Sequence, residues 1–113
     1  MSTRTRKRSV PGTHAPVFAA LGDDTRLTLV KTLAGGEPFS ISRLATGSRL
    51  TRQAITKHLH VLERAGLVHS IRRGRENHFA LDPAPLEHAK TYLDFVSAQW
   101  DEALSRLKKY VER

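Results

Sequence analysis

Apolar residues return every three or four positions in five stretches of the chain, and a glycine closes four of them. Val17, Phe18 and Leu21 follow Pro16 at helical spacing, and Gly22 stops them. Asp23 then has the character of an N-cap, with Leu27, Leu29, Val30 and Leu33 behind it and Gly35-Gly36 as the stop. Ser40 predicts another cap, for a short third helix with Ile41, Leu44 and Ala45 on its apolar face and Gly47 at its end. Thr51 caps a fourth helix in which Ile55, Leu59 and Leu62 recur at i, i+4 and i+7 before Gly66.

The period then changes. Residues 68–73 and 76–81 are short runs in which Val68, Ser70 and Arg72 alternate with His69, Ile71 and Arg73, and Phe79 and Leu81 recur in the second run. Gly74-Arg75 between them predicts a β-hairpin with a basic tip. Pro83 and Pro85 mark the exit, and residues 86–112 contain neither Gly nor Pro, which predicts a helix about 40 Å long. Residues 1–14 show no apolar period and read as a disordered basic arm, leaving residues 15–113 as the folded domain.

The predicted fold is mainly α with a small β-hairpin. The third and fourth helices are joined by a short turn containing Gly47, which is the helix-turn-helix arrangement, and the hairpin after them is the wing of its winged form. The long last helix carries a heptad seam: Leu86, Ala89, Leu93, Val96, Trp100, Ala103, Leu107 and Tyr110 alternate spacings of three and four. Tyr92, Phe95, Leu104 and Val111 widen the stripe. So small a domain cannot cover all of it, so part is expected to pack internally and part to pair with a second copy, with residues 17–21 joining the same interface.

Composition narrows the classes. A chain of 113 residues supports one domain, and 39% apolar with 27% charged residues is ordinary globular composition. Cysteine is absent, which excludes disulfides, thiolate metal sites, a cysteine nucleophile and a thiol switch, and fits a cytoplasmic location. No apolar run approaches the roughly 18 residues of a membrane span. The net charge of +8 is uneven. Residues 1–16 hold four bases and no acid, residues 43–75 hold eight bases against Glu63 alone, and the other two blocks are slightly acidic. A basic stripe on one part of a small domain fits a polyanion partner or a merely solvated face.

On the fourth helix, the face opposite Ile55, Leu59 and Leu62 offers Arg52, Gln53, Thr56, Lys57, His60 and Arg64. Arg suits bidentate contact with guanine and Gln with adenine. Thr offers a hydroxyl and a methyl group, and Lys57 suits a phosphate. At the hairpin tip Arg72, Arg73 and Arg75 suit a phosphate ridge or a minor groove.

Residues 18–27 (FAALGDDTRL), 50–59 (LTRQAITKHL) and 61–68 (VLERAGLV) together resemble the ArsR/SmtB-type transcriptional regulators, over about residues 15 to 112. The resemblance implies a homodimeric winged-helix repressor of operator DNA, in many members released by a metal or another inducer. It implies DNA-reading roles for Arg52, Gln53, Thr56 and Lys57, and a wing over Arg72 to Glu76. The family's metal sites do not carry over. There is no Cys, and the last helix has only His88 with Asp94, Asp101 and Glu102, without the carboxylate-x-His spacing.

Six histidines leave a metal reading open, weakly. His58 and His60 point to different faces, His58 reads as half-buried packing, and His69 and His78 could be cross-strand neighbours. Serines 40, 42 and 48 fit caps and turns, no glycine-rich phosphate loop is present, and thin helices leave little room for a deep pocket. The chain is therefore read as no enzyme, with no cofactor and no metal. Its expected partners are double-stranded DNA and a second copy of itself, with no membrane and an inducer of unknown identity. The alternative is a basic dimeric adaptor for protein or RNA, without sequence-specific duplex recognition.

Overall fold

A computed structural model describes residues 14–112. The order is α1 (His14–Leu21), α2 (Asp24–Leu33), β1 (Phe39–Ser40), α3 (Ile41–Ala45), α4 (Arg52–Arg64), β2 (Val68–Arg73), β3 (Glu76–Leu81) and α5 (Pro83–Glu112). The fold is mainly helical with a three-stranded antiparallel sheet and a long C-terminal helix.

Local signals set most of the boundaries. The side chains of Asp23, Ser40 and Thr51 each accept a hydrogen bond from the backbone N–H three residues on, at 3.0–3.1 Å. They satisfy donors that the first helical turn leaves open. At two helix starts the structure corrects the sequence reading. Helix α1 begins at His14, inside the segment expected to be an arm, because Pro16 falls in the first turn, where its missing N–H costs nothing. The rest of that arm, residues 1–13, lies outside the described residues. Helix α5 begins at Pro83 rather than residue 86, with Asp82 Oδ1 accepting from the Ala84 N–H at 3.1 Å. Proline at a first helical position is preorganised for the helix. Its 30 residues extend about 45 Å.

The hairpin pairs Val68 with Leu81 through to Arg73 with Glu76, so Gly74 and Arg75 alone make the turn. Gly74 takes φ +60°, which a side chain would strain. The sheet has a third strand absent from the sequence reading: β1 pairs Phe39 with Phe79 and Ser40 with His78, giving the order β1-β3-β2. Two residues are too few for an alternating pattern, and the pairing itself makes them a strand.

The core is built where the periodicity put it, with one correction: Leu27, on the apolar period of α2, is 44% exposed and lies outside the core. Leu33, Ile55, Leu59, Leu62 and Leu67 are fully buried, joined by Val17, Ala20, Leu29, Val30, Leu44, Val68, Phe79 and Ala89. Each large side chain buried contributes about 1.5–3 kcal/mol. The α5 stripe is covered at its start and exposed further along, which takes Leu86 and Ala89 of the seam into the chain's own core. Ala89 is buried and Leu86 packs against the core, Val96 and Ala103 are half-buried, and Leu93, Leu107, Tyr110 and Trp100 are exposed, Trp100 at 63%. Helix α1 lies along α5, fixed by ring contacts of His14 and Phe18 with Tyr92.

Candidate nucleic-acid interface

Helices α3 and α4 pack on each other across the turn of residues 46–51, in which Gly47 takes φ +80° and Ser48 Oγ accepts from the Leu50 N–H at 3.0 Å. That turn delivers Thr51 as the cap of α4. Burial then sorts the helix into two faces. Ile55, Leu59 and Leu62 lie against the core, and Arg52, Gln53, Lys57, His60 and Arg64 are exposed. Arg52 and Gln53 occupy the first two helical positions, so their side chains stand at its N-terminal end. Thr56 is half-buried, and its hydroxyl donates to the Arg52 carbonyl at 2.8 Å, which leaves its methyl and its oxygen lone pairs for a ligand.

Strand β2 packs against α4, so the ribbon and the helix form one unit. Arg72, Arg73 and Arg75 are exposed at the end of the ribbon. Adjacent strand residues face opposite sides, so Arg72 and Arg73 leave the ribbon in opposite directions. Arg72 Nε donates to the Gly74 carbonyl at 3.1 Å and is held against the turn. Arg73 stands directly across from Glu76 in the register, and the Glu76 carboxylate lies 3.3 Å from His78 Nε2.

The histidines disperse. His69 lies opposite Ala80 and His78 opposite Ile71, so the two are diagonal rather than directly paired. His78 Nε2 is 3.3 Å from Glu76 Oε1, and its buried Nδ1 has no hydrogen-bond partner among the described residues. Among the described residues, no three His, Asp or Glu side chains come together as a metal would require. Two grooves, of about 560 and 630 Å³, are both open to solvent. One lies between α1, the end of α4 and the start of α5, and the other between α2, α3 and the turn.

A polar network that sequence reasoning missed surrounds His58. Its Nδ1 lies 3.1 Å from Arg26 Nη1 and 3.9 Å from Asp23 Oδ2. Arg26 Nε donates in turn to the Ala20 carbonyl of α1 at 2.6 Å. The backbone N–H of Arg26 holds the Asp23 carboxyl below its ordinary range, aided by the charge of Arg26 and opposed by partial desolvation. The only sequence signal was the spacing of Asp23 and Arg26 across the first turn of α2; His58 is 32 residues further on.

Comparison with known proteins agrees with this geometry. A family model described as "Helix-turn-helix domain" matches residues 21–71, from the end of α1 into β2. The HTH-type transcriptional regulator YuzN of Bacillus subtilis is 36% identical over 83 residues, covering 68% of this chain and 90% of its own length. An ArsR-like transcriptional regulator from Rhodococcus sp. RHA1 superimposes with a TM-score of 0.74 at 40% identity, covering 86% of this chain and 91% of its own. The homodimeric winged helix-turn-helix DNA-binding domain of Mb0332 from Mycobacterium bovis, a possible ArsR-family regulator, does so with a TM-score of 0.60 at 25% identity, covering 89% and 90%. The capped α3-turn-α4 unit, the ribbon after it and these likenesses have one reading: the chain belongs to the ArsR-type winged helix-turn-helix transcriptional regulators.

Proposed function

We propose that this chain is a homodimeric, sequence-specific repressor that binds a palindromic operator. The observation that carries the reading is the polarity of α4: a fully buried apolar face and, opposite it, Arg52, Gln53 and Lys57 exposed at the N-terminal end. In helix-turn-helix proteins that end of the second helix reaches base edges in the major groove. Arg52 and Gln53 read bases, Thr56 supplies a methyl contact, and Lys57 takes a phosphate. Arg72, Arg73 and Arg75 hold the flanking backbone or minor groove.

The dimer forms through α5, with α1 beside it. The exposed apolar stripe of Leu93, Trp100, Leu107 and Tyr110 on a helix that projects from the body supports this, as does the homodimeric state of the Mycobacterium bovis domain. Two-fold symmetry then sets the recognition helices about 34 Å apart, one turn of duplex. Repression follows from occupancy: a dimer seated over a promoter blocks polymerase.

Selection of duplexes from a random pool by the purified protein tests the reading. The expected product is an inverted repeat with half-sites one turn apart. A pool that stays random after repeated rounds overturns the reading, and it is the result expected of an adaptor that attracts polyanions without reading sequence.

A further inference from the structure

Burial alone does not orient α4. Ile55, Leu59 and Leu62 press it against the core, but apolar contact is non-directional and allows a helix to slide or roll by small amounts. Direction comes from hydrogen bonds, and one residue outside the helix supplies them. Arg26 donates from Nε to the Ala20 carbonyl of α1 and from Nη1 to His58 Nδ1 of α4, at 2.6 and 3.1 Å.

A guanidinium has only donors, so His58 Nδ1 is the acceptor in that pair and the ring carries its proton on Nε2. The planar fork fixes the angle between its two bonds, which a flexible ammonium does not. Arg26 is itself held at its base, because its backbone N–H donates to Asp23 Oδ2 at 3.0 Å. Helix α1 continues the chain of contacts, since His14 and Phe18 both meet Tyr92 of α5. A connected path of packed and hydrogen-bonded groups therefore runs from α5 through α1 and Arg26 to α4.

We propose that Arg26 and His58 are positioning residues that set the angle of α4 relative to the α1–α5 unit, and so set the half-site spacing that the dimer accepts. The proposal rests on the reading of the chain as a DNA-binding dimer. Neither residue needs to touch DNA for this. A dimer whose two reading helices are held stiffly discriminates against half-sites moved apart, and one whose helices can roll does not.

The test uses the full-length dimer and the operator obtained by selection, with the half-sites moved apart one base pair at a time, and a duplex carrying a single half-site. Binding is read by fluorescence anisotropy at one salt concentration. Arg26→Lys keeps the charge and loses the fork. It is expected to shrink the preference for the best spacing by about tenfold, the equivalent of one charge-assisted hydrogen bond, and to leave single half-site affinity unchanged. His58→Leu should do the same, and His58→Gln, whose amide oxygen can accept from Arg26, should restore the parent preference. If Arg26→Lys fails to fold, the His58→Leu and His58→Gln pair carries the comparison alone. Variants that melt earlier but keep the parent's spacing preference overturn the proposal and leave the network as a structural fastening only. A parent that ignores spacing overturns both this proposal and the reading beneath it.

Discussion

His14 stacks on Tyr92, with ring centroids 4.7 Å apart and planes 26° from parallel. Phe18, one turn further along α1, meets the same ring at 6.2 Å with a tilt of 48°. The first helix is thus fastened to the first third of the last by one aromatic side chain outside the heptad seam. Such ring pairs contribute about 0.5–1.5 kcal/mol beyond the area they bury. Tyr92→Ala is expected to lower the free energy of unfolding by about 1–2 kcal/mol, and Tyr92→Phe to leave it near the parent. Urea titration at a fixed protein concentration checks this, since a dimer's midpoint moves with concentration. An unchanged midpoint for Tyr92→Ala would mean that α1 is held by other contacts.

The proposed pairing through α5 makes Val96 and Trp100 sensitive positions. Val96 is half-buried and Trp100 is 63% exposed within a single chain. Glu at either would bring an unpaired charge into the interface. Light scattering at micromolar concentration is expected to give a dimer for the parent and a monomer for Val96→Glu or Trp100→Glu. A monomeric parent, or variants that remain dimeric, would remove α5 from the interface.

The wing is expected to act on the DNA backbone without reading sequence. Replacing Arg73 and Arg75 together by Ala should weaken binding to operator and random duplex alike. It should also reduce the slope of log affinity against log salt by about two, one unit for each phosphate no longer neutralised. Affinity measured across a salt series decides it. Unchanged slopes would make residues 72–75 a turn and nothing more.

Asp23 links pH to stability. Its carboxyl is held below the ordinary range in the folded protein, chiefly by the Arg26 N–H, so the folded state favours the ionised form. The stability this gives is fully present above the unfolded carboxylate's pKa of about 4, and is lost as pH falls through the lower, folded value. Asp23→Asn keeps an acceptor for the cap but cannot ionise. Its thermal midpoint should therefore fall less steeply than the parent's below about pH 4. Parallel acid profiles for the two proteins would contradict this role for Asp23.

What the chain's pattern revealed and what it concealed follow from the range of the interactions involved. Asp23, Ser40 and Thr51 cap through bonds to residues three positions away, so their effect is written locally. Ile55, Leu59 and Leu62 show their buried face because a helix converts spacing into direction. Phe39 and Ser40 became a strand through partners near residue 79, and no local signal marked them. The link between Arg26 and His58 spans 32 residues and depends on how α1, α2 and α4 pack together. The sequence reading places Pro16 and Pro83 just before their helices, whereas α1 and α5 begin two to three residues earlier than it expects and take these prolines into their first turns. Proline breaks a helix interior yet suits a first turn, and only the chain before it decides between the two.

The proposed reading of bases by Arg52 and Gln53 of α4 is tested by the ratio of operator to scrambled-duplex affinity at one fixed salt concentration. Both residues are exposed and stand apart from the core, so Ala at either should leave the thermal midpoint unchanged. A good bidentate base contact is worth about 1–3 kcal/mol against the wrong base. Gln53→Ala should therefore lose roughly ten- to a hundredfold of operator affinity while random-duplex affinity, which owes nothing to an uncharged side chain, stays where it was. Arg52→Ala should lose a similar factor on operator, and Lys57→Ala should weaken binding to both duplexes together. A Gln53→Ala protein that keeps the parent's ratio while its thermal midpoint falls would contradict the account, because Gln53 would then be structural and α4 would not lie in the groove.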